Sequence, residues 1–199
     1  MGADQASNPW GARVAVGVIM LILIGGGVYY YVNVMRPQSE IAGLKKTIET
    51  AANPMAKAQA IRELANKKDP DTAPIFIKRL DDADAAVRRA AADALGTLGQ
   101  KTAAEPLMGL LADKDPKVRQ AAVTALGLIK AQSAVDSIVK ILNDKDAGVQ
   151  REAVFALVRI GDKSAVETLK KYSKTLKDMD FKRTVDEMAI FLETGQMPR

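Results

Sequence analysis

The sequence contains neither cysteine nor histidine. That excludes disulfides, zinc sites built on either residue, thiol nucleophiles, and every mechanism that needs an imidazole base, the Ser-His-Asp triad included. Aromatic residues make up only 5% of the 199, too few for a β-sandwich core and ordinary for an Ala/Leu-rich helical chain. Neither charge sign dominates: 29 basic against 24 acidic side chains leave +5, which permits an anionic partner without specifying one. Hydrophobic residues at 48% and charged residues at 27% exclude a disordered or collagenous chain.

One stretch lacks charge altogether. Between Arg13 and Arg36 there is no Lys, Arg, Asp or Glu, so an uncharged run extends from Val14 to Met35. As a helix it measures about 33 Å, enough for a hydrocarbon core of about 30 Å. Trp10 precedes it and Tyr29, Tyr30 and Tyr31 stand near its exit, where a spanning helix carries interfacial aromatics; Pro37 lies just beyond. Residues 14–35 are therefore expected to form a single transmembrane helix after a short tail, 1–13. The rival reading is a cleaved leader, with Gly25, Gly26 and Gly27 as its small-residue site. The apolar character continuing through Val28 to Val34 argues against it. The three glycines either admit close approach of a partner helix or are tolerated as glycines commonly are in membrane helices. Arg36, Lys45 and Lys46 on the C-terminal side outnumber Arg13, which places the C-terminal domain on the cytoplasmic side, although Arg13 itself pulls the other way.

The rest of the chain repeats at one fixed interval, the spacing from Leu64 to Leu95. Leu64, Leu95, Leu126 and Leu157 share it, as do Leu80, Leu111 and Leu142; Val87, Val118 and Val149; and Asp84, Asp115 and Asp146, with Asn53 extending the last column backward. Each unit reads as two short helices. In the second unit Asp84 is a candidate N-cap, and Val87, Ala91, Ala94, Leu95 and Leu98 fall at helical spacing before Gly99. The units run over 53–83, 84–114, 115–145 and 146–172. Residues 36–52 are expected to link and cap, with Ile41, Leu44 and Ile48 on one face. Residues 173–199 supply a closing helix bearing Phe181, Val185, Met188, Ala189 and Leu192, because an internal unit left terminal would expose its apolar face.

The pattern Asp84, Val87, Arg88, Ala91, Ala94-Leu95-Gly96 recurs as Asp115, Val118, Arg119, Ala122, Ala125-Leu126-Gly127. It resembles the short HEAT repeats of the bilin-lyase (PBS-lyase) type over roughly residues 53–172. The resemblance implies an all-α, right-handed α-solenoid of about four two-helix repeats, and it implies ladder contacts from Arg88 and Arg119 to turn aspartates of neighbouring units. The last unit departs, with Gln150 at the Arg position and Val158 for Gly. Such arrays mostly serve as adaptors and scaffolds. A hydroxylase built on His-Glu motifs is excluded by the lack of histidine; a lyase remains as an alternative.

Other candidate chemistry is weaker. Gly96-Thr97-Leu98-Gly99-Gln100-Lys101-Thr102 lacks the spacing and the preceding strand of a phosphate loop, and the repeat accounts for its glycines as helix-end positions. The pairs Asp82/Asp84, Asp113/Asp115 and Asp144/Asp146 lack the inner Gly and final Glu of a calcium loop, and suit helix capping. Lys78, Lys140 and Lys171 form one column on the second helices; Glu105, Asp136 and Glu167 form another. The resemblance puts these helices on the concave, partner-facing side, with Met108 at its rim. Asp136–Lys140 and Glu167–Lys171 have the favourable spacing and order for intrahelical pairs. No catalytic residue, metal, cofactor, nucleic acid or small-molecule substrate is expected. The expected partners are other membrane protein subunits and the bilayer, and the expected role is that of a membrane-anchored interaction scaffold, an accessory subunit of a larger complex. A lipid-binding regulator acting through the basic columns is a further alternative.

Overall fold

The computed structural model describes residues 36–196. Trp10, the span expected at 14–35, its Gly25, Gly26 and Gly27, and Tyr29, Tyr30 and Tyr31 lie outside the described residues. Among those described, every regular element is helical and no helix is long and apolar enough to cross a membrane. The chain divides into two units, residues 1–46 and 47–199. Helix α1, Arg36–Thr50, begins in the first, and its last turn belongs to the second.

The second unit is an α-solenoid. The first helices of its four repeats are α2 (Pro54–Asn66), α4 (Ala85–Thr97), α6 (Pro116–Leu128) and α8 (Ala147–Ile160). The second helices are α3 (Ala73–Arg79), α5 (Ala104–Gly109), α7 (Val135–Ile141) and α9 (Val166–Ser173), each entered through one turn of 3-10 helix. Helix α10, Met179–Thr194, closes the series and packs on α8 and α9.

Helix starts derive from the Asp column. Asn53, Asp84, Asp115 and Asp146 are N-caps, each side chain accepting from the backbone N–H two residues on. That satisfies one of the donors an N-terminus leaves open, and the three aspartates also place negative charge at the positive end of the helix dipole. Helix ends derive from another column of the same period: Lys68, Gly99, Lys130 and Gly161 all have positive φ, from 52° to 81°. The N–H groups of Gln100 and Ala131 then reach back to the carbonyls of Leu95 and Leu126, closing the helix ends in a Schellman-type turn. Two of the four positions carry lysine, which tolerates this conformation poorly.

The core is equally periodic. Leu64, Leu95, Leu126 and Leu157 have no exposed surface, nor do Phe76, Leu107, Ile138 and Leu169 from the second helices. Ile48 of α1 is fully buried, whereas Ile41 and Leu44 are half-buried. Successive first helices pack directly on one another, and two glycines permit it. A Cβ on Gly96 would stand 2.7 Å from the Ala125 Cα, and one on Gly127 would stand 2.9 Å from the Ala156 Cα. These glycines lie within α4 and α6 and serve close helix approach, not helix termination; Gly99 and Gly161 are the terminating pair.

Candidate functional site

The inter-repeat loops carry a ladder of charge. Arg88 Nε and Nη2 donate to the two carboxylate oxygens of Asp113 at 2.8 and 2.9 Å, while Nη1 donates to the Asp82 and Ala83 carbonyls of its own loop. Arg119 repeats this one unit later on Asp144, at 2.7 Å for both bonds, with Nη1 on the Asp113 carbonyl. Lys57 occupies the Arg position of the first unit, and its Nζ lies 3.5 Å from Asp82. Asp82, Asp113 and Asp144 also accept the backbone N–H of the next capping aspartate. The two members of each Asp-x-Asp pair thus divide the work: the first joins units and the second starts a helix. The hydrogen bonds from Arg119 hold the Asp144 carboxyl below its ordinary pKa, against the opposing effect of burial. Burial pushes the Asp113 carboxyl up, but the bonds from Arg88 and the Asp115 N–H outweigh it and the net shift is downward.

The ladder ends at the fourth unit. Gln150 donates to the Asp144 carbonyl and accepts from the Tyr172 hydroxyl at 2.9 Å. Next to it Arg151 pairs with Asp178 at 3.1 Å and sits 5.1 Å above the Phe181 ring, which meets Tyr172 edge-on. An aromatic and cation–π junction to α10 replaces the buried ion pair.

The predicted partner face occupies the second helices. Lys78, Glu105, Asp136, Lys140, Glu167 and Lys171 are all exposed, and Met108 is half-buried. The intrahelical pairs predicted there do not form. Among the described residues Asp136 and Lys140 have no ion-pair partner, and Glu167 engages Lys170 at 3.4 Å in place of Lys171. Lys170 is drawn further to Glu193 of α10, at 2.9 Å. Among the described residues Lys78, Lys140 and Lys171 therefore have no ion-pair partner and stand in register with the repeat, and Glu105 and Asp136 beside them have none either.

A second surface has no counterpart among the sequence motifs. Between α4 and α6, on the side away from the second helices, Arg89, Asp93, Lys117, Gln120, Ala121 and Thr124 line an open hollow of about 360 Å³. Burial raises the Asp93 carboxyl above its ordinary pKa, with Arg89 and Arg62 opposing, and Arg89 stands 3.7 Å away.

The family model for HEAT repeats matches the sequence twice, at residues 41–119 and 105–185. The chain belongs to the HEAT-repeat family. No curated protein sequence matches this HEAT-repeat chain significantly. Among solved structures it is similar to a designed armadillo repeat protein in complex with the peptide (KR)4, with TM-score 0.62, 20% identity, and coverage of 94% of this chain and 95% of that one. It is also similar to the CpcE–CpcF complex of phycocyanin lyase from Nostoc sp., with TM-score 0.57, 23% identity, and coverage of 92% and 72%. An engineered protein matches at TM-score 0.56 and 23% identity, covering 75% of this chain and 76% of its own. At these identities the likeness is one of fold.

Proposed function

We propose that this HEAT-repeat protein is a membrane-anchored, non-catalytic interaction scaffold that serves as an accessory subunit of a larger membrane complex. The observation that carries the reading is the register of unneutralised charge on the second helices. Lys78, Lys140 and Lys171, with Gly109 at the same position of the second repeat, and Glu105 and Asp136 beside them, project from the array at one period and have no ion pair among the described residues. Such a row fits an elongated protein partner whose charges alternate at the spacing of stacked helices, about 10 Å. The uncharged run 14–35, preceded by Trp10 and carrying Tyr29 to Tyr31 near its exit, supports the anchor. Tethering raises the local concentration of the array beside a membrane partner, so modest contacts suffice.

The test is purification from native membranes in mild detergent, comparing the natural chain with K78E/K140E/K171E. A stoichiometric companion that is lost on charge reversal supports the reading. A companion retained unchanged moves the docking face elsewhere, and a lone particle in several mild detergents overturns the obligate-subunit form. The likeness in fold to a phycocyanin lyase favours one second reading, lyase activity, which predicts a bound pigment visible by absorbance.

A further inference from the structure

We propose that the closing helix α10 docks antiparallel on α10 of a second copy of this chain. A closing helix is expected to turn a polar face outward. Here Val185, Ala189 and Leu192 are buried against the array, yet Met179 is 71% exposed and Ile190 is 41% exposed on another side of the same helix. These two side chains bound a shallow groove of about 240 Å³, completed by Lys182, Arg183, Asp186 and Glu187. The match to HEAT repeats ends at residue 185, midway along this face.

The order of residues along the groove names its occupant. It reads apolar, basic, basic, acidic, acidic, apolar, and it is its own complement when reversed. About a two-fold axis between residues 184 and 185, Met179 meets Ile190, Lys182 meets Glu187, and Arg183 meets Asp186 of the other copy. That is the self-complementary patch an isologous dimer requires. Within one chain these charges are only partly used. Lys182 reaches Asp186 at 2.8 Å, Arg183 holds Asp180 at 3.6 Å on a solvated turn, and Glu187 has no ion pair among the described residues. The pairs can exchange partners across the axis, leaving only the solvent-exposed Asp180 without its partner. A single helix face is small beside the roughly 1,200 Å² of a stable interface, so the dimer is expected above about 10 µM. This contact is independent of whatever the second helices bind.

Light scattering on the full chain in mild detergent, corrected for the micelle, tests this. The natural protein is expected to show twice the protein mass of K182E/R183E or D186K/E187K measured alone. An equimolar mixture of those two variants, each facing its complement, is expected to regain the doubled mass, as is the fully swapped K182E/R183E/D186K/E187K chain. Recovery in the mixture also shows that neither variant failed to fold. Because the chain has no cysteine, Met179→Cys combined with Ile190→Cys gives a clean readout: mild oxidation should link two chains. Met179→Cys alone should not, since the two copies of that residue lie about 16 Å apart along the helices. A natural protein that is monomeric at tens of micromolar overturns the proposal. So does a doubled mass that none of the charge variants changes, which would place any self-association elsewhere in the chain.

Discussion

Arg119, in the first turn of α6, and Asp144, in the loop that leads to the next repeat, are joined by two parallel hydrogen bonds of 2.7 Å, with only 5% and 8% of their side chains exposed. Removing one partner strands the other as a buried charge. Arg119→Ala is therefore expected to destabilise the array by about 3–5 kcal/mol, whereas Arg119→Met with Asp144→Leu costs much less, because no charge is left uncompensated. Urea unfolding of the single and double variants measures the difference. Equal losses in both would mean that the stranded charge is not what costs stability, and would assign the loss to packing and to the backbone hydrogen bonds that both side chains make.

The same pairs set the acid limit of stability. Asp113 and Asp144 have lowered pKa values in the folded protein. Their stabilisation is fully present above the ordinary Asp value of about 3.9, and it is lost as pH falls below that toward the folded values. The melting temperature should thus fall on acidification below about pH 4, and the fall should be shallower in the Met/Leu double variant. A parallel fall in both proteins would assign the acid sensitivity to other carboxylates.

Gly127 lets α6 and α8 approach to a separation that no side chain allows. Gly127→Ala gains up to about 1 kcal/mol of helix propensity but forces a methyl group against the Ala156 backbone, an overpacking cost of about 1–3 kcal/mol. A net loss is expected, read as a drop in melting temperature of a few degrees. An unchanged or higher value would show that the helices separate freely.

Lys130 occupies a left-handed position that its counterparts Gly99 and Gly161 fill without strain. Relief of that strain, about 1–2 kcal/mol, exceeds the entropic cost of glycine, about 0.5–1 kcal/mol, so Lys130→Gly should stabilise the protein by roughly 0.5–1 kcal/mol. Gly161→Ala should do the reverse. Thermal unfolding of the two variants gives opposite signs if the backbone angle governs, and the same sign if it does not.

Much of the array is legible in the sequence because its determinants lie within one unit. The capping aspartates, the leucine columns and the Arg-to-Asp ladder come from the period and from the resemblance it carries. What escapes depends on neighbours that no spacing reveals. Gly96 and Gly127 read as helix ends, because the helix they must admit belongs to the next repeat. Helical spacing assigns Glu167 to Lys171, but Lys170 sits between Glu167 and Glu193 of α10 and takes the contact. The hollow at Arg89, Asp93 and Lys117 is bordered by Ala, Gln and Thr, residue types that announce nothing until two helices stand side by side. The exposed Met179 and Ile190 are overshadowed by the stronger apolar stripe of Val185, Ala189 and Leu192 on the same helix.

Each internal unit holds its own Arg–Asp pair, and at its borders the arginine donates back to the preceding unit's loop carbonyls while the aspartate accepts from the next unit's capping residue, all at fixed offsets within the repeat. A duplicated block of residues 84–114 would therefore arrive with its couplings already matched, like a bead threaded onto a string. Each such insertion would carry the closing helix about 10 Å farther from the first repeat. The length of the array is in this sense quantised, and a lineage could change its reach by copying one block without redesigning a single contact.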